Sequence, residues 1–580
     1  MSASKSNLSN PKYGYDMVVA VTQTSLNSHL KEWVHANIQT PFTQVWMAGG
    51  SQGLTPVLTD YEDVKKQLGF DPFSVGEDDK KDQQTMYDKN FWFGFQAKLG
   101  IPRGSSPTNS PAIIKFNEQG AGAHVTYNMV FESFRIVNLQ AGRGNHYAWK
   151  VFDQSDDTEP WVFSYDVNLN LQDGHLDINK LPPATQKEIK NLGSDMFSLK
   201  QLFLDLNNSY LSSLPNSPTI NGLKNYMCGS HLMPYIESLR TSIEKSGGGA
   251  LGSGAVAKPA ITLPKPTFIP TDLNFEISSY KDANGQTDTN EQAAYTLNYL
   301  VMGYKHQMPP AVPFTWNWVD SNQLSQYAGA VSIRKELFFD FLYNIFSKAL
   351  PRLYVSPYAT TECKCGLGSL YTFKLQEPYD QPPPVFKKIN QGDHWLSYSF
   401  QPPTAKAQAS VGCEATVIGG VTLTSKIEVT YSVQSDVYVK GNQITVKTTA
   451  KIYADIEGRF EVILPVLYAK GYFANFTDTR IFALGVDSYG KLQVTLEGPG
   501  LVDNSSTPEK EQFASICTRI RSSARDRLAG MLQGYETEIL NGLSGAYGWV
   551  FPGGQTFAFE DLTLSDSEDL VANVNYVAIN

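Results

Sequence analysis

The chain has 580 residues, of which 41% are hydrophobic and 18% charged, and its net charge at neutral pH is −10. One core rarely grows to that size, so more than one domain is expected. The low charge fraction excludes a disordered chain or a coiled coil, and the acidic balance excludes a basic nucleic-acid-binding face at the level of the whole chain.

The first residues, MSASKSNLSNPKYGYD, are polar and lack the charged start and apolar stretch of a secretory signal. Synthesis in the cytoplasm is expected, with release by a non-classical route still open. MVVAVT (17–22) reads as a short strand, and Leu26, Leu30, Trp33, Val34 and Ile38 then recur on one face of a helix that Thr24 or Ser25 can cap. Strand patterns follow. Phe91, Phe93 and Phe95 alternate, as do Tyr127, Met129 and Phe131. Trp161, Phe163, Tyr165, Val167, Leu169 and Leu171 keep a strict period of two, against Ser164, Asp166, Asn168 and Asn170. That alternation predicts an antiparallel sheet with one wet face. Two helices are expected between Leu199 and Lys245, separated by Pro215 and Pro218.

Residues 246–260, SGGGALGSGAVAKPA, have the composition of a flexible linker. They divide the chain into an N-terminal domain (1–245) and a C-terminal domain (261–580). The second part repeats the order of the first. YAGAVSI (327–333) leads into a helix with an apolar face of Leu337, Phe338, Phe341, Leu342, Ile345 and Phe346, stopped by Pro351. Residues 421–496 read as a strand meander with turns at KGN (440–442) and DSYGK (487–491). The longest helix follows, with Thr507 as cap, Pro508 at its first position, and Phe513, Ile516, Ile520, Leu528, Met531, Leu532, Tyr535 and Ile539 along one face. A final pair of strands closes the chain.

A curved sheet with one apolar face needs a cover, and a long amphipathic helix in the trough supplies it. If the helix fills the trough, the result is a core. If it leaves a dry gap, an acyl chain gains about 0.8 kcal/mol per methylene buried there. The string YGYDMVVAVTQTSLNSHLKEW resembles the opening of the clostridial forty-seven-kilodalton toxin-cluster proteins. FSLKQLFLDLNNSYL (197–211) resembles a mid-chain helical string of that family. WVFPGGQTFAFEDLTLSDSEDLVANVNY (549–576) resembles its ending. The resemblance implies the tubular lipid-binding (TULIP) superfamily. The expected fold is therefore α+β: two tandem TULIP-like domains, each a long amphipathic helix wrapped in a highly curved antiparallel β-sheet. It also implies non-catalytic binding of lipid or another apolar ligand, with other proteins of the same gene cluster as further partners and peripheral membrane contact open. The alternative is an interaction protein of the same fold with closed grooves. No cofactor is implied.

The ligand-lining residues on this reading are Leu26, Leu30 and Trp33 on the first helix, Leu337, Phe341 and Ile345 on the second, and Ile520, Ala524, Leu528 and Met531 on the last. The Phe-rich helix suits a filled trough, whereas Ala514, Ala524 and Ala529 suit an open one. Catalytic alternatives are thin. GGSQG (49–53) fits a nucleophile elbow at Ser51, but LTPVLTD after it is a poor helix, and the elbow needs one there. The eight histidines show no metal-ligand spacing, and His29 reads as solvated. Asp156, Asp157 and Glu159 read as an acidic solvated turn, since they lack a calcium loop's order. Cys228, Cys363, Cys365, Cys413 and Cys517 read as free thiols, and the C-K-C spacing is too close for a zinc ribbon.

Overall fold

A computed structural model of the chain describes residues 3–49, 55–107, 109–117, 124–141, 147–174, 197–206, 209–245, 250–257, 270–303, 306–350, 358–365, 371–376, 386–414, 420–460, 466–486, 492–505, 518, 521–522, 524–534, 536–537 and 556–577. Six helices with defined ends are α1 (Gln23–Asn37), α2 (Tyr61–Leu68), α3 (Lys80–Asp88), α4 (Pro218–Leu223), α5 (Gly229–Lys245) and α6 (Lys335–Ala349). Residues 524–534 are also helical. The fold is α+β, with the strands in antiparallel sheets.

A six-stranded sheet lies at the centre and draws on the start, middle and end of the chain. Its order is Asp272–Ser278, Thr296–Met302, Met17–Thr22, Gly329–Ile333, Leu570–Val577, Thr556–Leu564. Both faces of Met17–Thr22 are buried, which explains why MVVAVT is apolar at successive positions rather than alternating. Met17, Val19 and Val21 join one core with Leu26 and Leu30 of α1. Val18 and Ala20 join another with Tyr13, Tyr15, Phe314, Trp316 and Trp318. Gly329 pairs with Val21 at the crowded centre, where an added Cβ would lie 2.0 Å from the Ala20 carbonyl oxygen.

Two buried carboxylates sew this junction together. Asp16 pairs with Arg334 at 2.6 Å and accepts from the Gly303 N–H at 2.8 Å, with His306 Nδ1 at 2.9 Å. Asp569 accepts from the Leu8 N–H at 2.7 Å, Ser6 Oγ at 2.9 Å and the Lys335 N–H that opens α6 at 3.1 Å. The strings YGYD and SDSEDL therefore have architectural work: they bind the two ends of the chain to its middle.

On one side of the junction, a ten-stranded sheet whose main path runs from Thr55–Thr59 to Ala250–Ala257 packs on α5. Phe163, Tyr165, Val167 and Leu169 point into the core, in line with their period of two. On the other side, a seven-stranded sheet runs from Phe386–Gln391 to Leu492–Asp503 and packs on α6. Its longest hairpin turns at Gly441, whose φ of +58° suits the KGN signal. The DSYGK turn lies outside the described residues.

The structure corrects three expectations from the sequence. Phe197–Leu204, read as the start of a helix, is a strand between Val162–Gly174 and Ala250–Ala257; backbone pairing on both edges outweighs its helical pattern. Ala250–Ala257, inside the stretch with linker composition, is itself that edge strand, because ladder bonds need no large side chains. A cut at 246–260 would leave Met17–Thr22 at the centre of a sheet whose other strands all lie within 261–580. Cys365 and Cys413 are not free: they form a disulfide, with Cα atoms 5.7 Å apart, that ties the end of strand Tyr358–Cys363 to the end of Ala405–Cys413. The fixing contact is tertiary, so spacing within C-K-C gave no sign of it.

Candidate apolar binding site

α1 begins one residue after the strand Met17–Thr22. Thr22 is its cap, with Oγ1 accepting from the Ser25 N–H at 3.2 Å, so the helix starts earlier than Thr24 or Ser25 would place it. One stripe of α1 is polar and zips the helix to the segment before strand His124–Ala141. Gln23 Oε1 accepts from the Phe116 N–H at 2.6 Å. Asn27 makes two bonds of 2.8 Å to Ile114, from Nδ2 to its carbonyl and from its N–H to Oδ1. Lys31 Nζ donates to the carbonyls of Pro107 (2.7 Å) and Ser110 (3.1 Å), and burial lowers its pKa. These three side chains sit one turn apart. Gln23 and Asn27 are buried polar groups whose bonds are satisfied by backbone.

The neighbouring stripe of α1 is apolar. Leu26 and Leu30 are buried in the core shared with α5. Between Leu30, Val34, Ile113, Tyr127, Val130 and Ile243 the packing leaves a cavity of about 20 Å³. That is room for about one water or a methyl group, and the walls are mostly carbon. It is an unfilled seam between α1, the sheet and the end of α5, with Lys31 and Ser110 at its rim. Burial pushes the Tyr127 phenol well above its ordinary pKa. The side chain of Trp33 lies outside the described residues.

In the other half, the described side chains of α6 interlock with the sheet. Leu337, Phe341 and Ile345 are buried in one cluster with Trp395, Ile427 and Val429. Phe338 and Phe339 meet the Trp395 ring at 5.8 and 5.6 Å between centroids. Leu528 and Leu532 are buried in the same cluster, and Ala524 and Met531 pack against it. Ile520 and Ala514 lie outside the described residues. The expected lining residues thus fall into separate places: Leu30 at the seam, Leu26 in the N-terminal core, and Leu337, Phe341, Ile345 and Leu528 in a second core. Sequence reasoning missed Ile113, Val130 and Ile243, because no single element carries them.

Ser51 also lies outside the described residues. The chain after it enters strand Thr55–Thr59, which pairs antiparallel with Phe42–Gly49. A nucleophile elbow needs a helix there, and from Thr55 on the described chain is a strand. Asp157 is no solvated acid. It accepts from Trp161 Nε1 at 2.7 Å, Thr219 Oγ1 at 2.9 Å and Ser217 Oγ, pinning the start of α4. Those bonds hold its carboxyl below the usual range, against an opposing effect of burial.

Taken together, the fold defines an α+β protein in which helices cover the apolar faces of antiparallel sheets. No family model matches the chain, and no curated protein matches it. Among solved structures it is similar to a P47 protein of Clostridium botulinum E1, at 10% identity and a TM-score of 0.34, covering 97% of this chain and 99% of that one. It is also similar to a lipopolysaccharide binding protein, at 13% identity and a TM-score of 0.30, covering 98% of this chain and 100% of that one. At these scores neither likeness carries weight for fold or function.

Proposed function

We propose that the protein is a non-catalytic carrier of an apolar ligand, an acyl chain or a body of similar width, taken into the seam between α1 and the N-terminal sheet. The observation that supports this is the gap beside Leu30 and Val34, in a core otherwise filled by large aromatic side chains. The gap is too small to hold a chain as it stands, so binding requires α1 to move away from the sheet. Its attachment through Gln23, Asn27 and Lys31 suits such movement. Hydrogen bonds exchange for bonds to water at a net cost of only about 1 kcal/mol each, whereas interlocked rings do not come apart so cheaply. Each methylene that enters returns about 0.8 kcal/mol.

The packed C-terminal half favours a second role for that region, as a scaffold that acts by surface contact. The Cys365–Cys413 bond supports maturation in an oxidising environment rather than a reducing one.

The test is saturable uptake of a fluorescent fatty acid by the full chain and by two variants. Val34→Trp, at the seam, should reduce uptake at least tenfold. Leu342→Met, in the other core, should leave it unchanged. Equal uptake by the wild type and Val34→Trp would remove the proposal.

A further inference from the structure

The side of α1 away from the seam borders a second space. A cleft of about 510 Å³ lies between α1 and the far strands of the central sheet. Ser25, His29 and Glu32 form one wall, on successive turns of the helix, and Tyr327, Glu560 and Asn575 form the other. Its volume is in the range of small-molecule sites.

Three features define what would fit. First, the cleft is negative. Two carboxylates line it, no lysine or arginine does so among the described residues, and a third carboxylate, Asp561, accepts the Tyr327 hydroxyl just behind the wall. Glu560 is held in place by Asn575 Nδ2 at 2.9 Å. Second, His29 does not offset that charge. Burial lowers its pKa, against a smaller opposing pull from Glu32, so it is neutral at pH 7 rather than a solvated cation. Third, Ser25 Oγ is buried, its residue only 8% exposed, and it has no hydrogen-bond partner. Ser25 lines the cleft and buried hydroxyls are normally satisfied, so its unpaired one marks a place for a ligand's polar group. Among the described residues no three His, Cys, Asp or Glu side chains converge to hold a metal ion.

We propose that this cleft binds a small organic cation, an ammonium-bearing molecule or headgroup, between the Glu32 and Glu560 carboxylates, with Ser25 Oγ bonding its polar substituent. The Tyr327 ring adds a surface that favours ammonium groups. The site is independent of the apolar seam, since it uses the opposite side of α1.

Calorimetric titration of the full chain with choline and with ethanolamine tests the idea, with myo-inositol as a neutral control. Saturable binding of an ammonium probe is expected, weakening as salt rises. Glu32→Gln combined with Glu560→Gln should weaken it at least tenfold with an unchanged melting temperature. Ser25→Ala should weaken ethanolamine and leave Val34→Trp-type effects on fatty acid uptake absent. A short-chain phosphatidylcholine below its micelle concentration separates the sources: binding lost in the same double variant identifies a headgroup, and choline binding alone identifies a free amine. No saturable binding of either ammonium probe, undiminished binding in the double variant, or equal binding of inositol would overturn the proposal.

Discussion

α6 packs on the seven-stranded sheet, and α1 lies beside α5 on the ten-stranded sheet; the attachments of α6 and α1 differ in kind. α6 meets its sheet with aromatic rings: Phe338 and Phe339 against Trp395, and Phe341 and Phe346 in the same buried cluster. α1 meets the N-terminal sheet partly through polar side chains that grip backbone, leaving a thin gap beside them. Apolar interlocking fixes a helix against motion, because every displacement opens a void that nothing fills. Polar latches hold geometry and release it at lower cost. The same architecture thus holds one helix by interlocked rings and another by polar grips beside a gap.

The largest expected effect lies in the C-terminal core. Phe346→Ala removes a fully buried ring and should destabilise the protein by about 3–5 kcal/mol in denaturant unfolding, without changing ligand uptake. A smaller loss would mean that this half is not tightly packed. Next comes the disulfide. The bond spans a sequence separation of 48, and replacing both Cys365 and Cys413 by Ser should cost about 2–4 kcal/mol. Peptide mapping without reduction should recover the 365–413 link, and free thiols at both positions would refute it.

Glu276 supplies a pH signature at the junction. It is fully buried on strand Asp272–Ser278, and burial pushes its pKa up to about 8, against bonds from Asn298 Nδ2 (2.6 Å) and Ser278 Oγ (3.0 Å). The folded protein therefore holds this proton more tightly than the unfolded chain does. Its favourable contribution is complete below about pH 4.5 and is lost as pH rises toward 8, at up to roughly 1.4 kcal/mol per pH unit. Glu276→Gln should flatten stability over that window, which melting curves from pH 5 to 8 would register. Asn27→Ala comes next. Losing both bonds to Ile114 should cost about 1–3 kcal/mol and speed fatty acid uptake in stopped flow. The smallest stability change belongs to Val34→Trp, within about 1 kcal/mol, since Val34 is only half-buried. Its effect should fall on uptake instead.

Local pattern in the sequence was legible where one element met one environment. MVVAVT, the stripes of α1 and α6, the alternation ending at Leu171 and the turn at Gly441 all follow from periodicity or backbone chemistry. What escaped depends on contacts distant in the chain. Nothing in FSLKQLFL marks it as a strand until its partner 250–257 is in place, and nothing in C-K-C points to Cys413. The central sheet brings residues 17–22 beside 296–302 and 329–333, a pairing no local signal encodes. The candidate sites follow the same division. Leu26 and Leu30 were visible as a stripe, whereas the opposing Ile113, Val130 and Ile243, and the polar grip of Gln23 and Asn27, were not.

On the proposed function, the ligand enters the N-terminal seam and not the C-terminal core. A photoreactive fatty acid, irradiated with the full chain and mapped by mass spectrometry, tests it directly. Labels are expected on α1 beyond Leu30, on residues 99–130 and near Ile243. Labels confined to residues 335–349 or 421–486, or no saturable labelling at all, would contradict it.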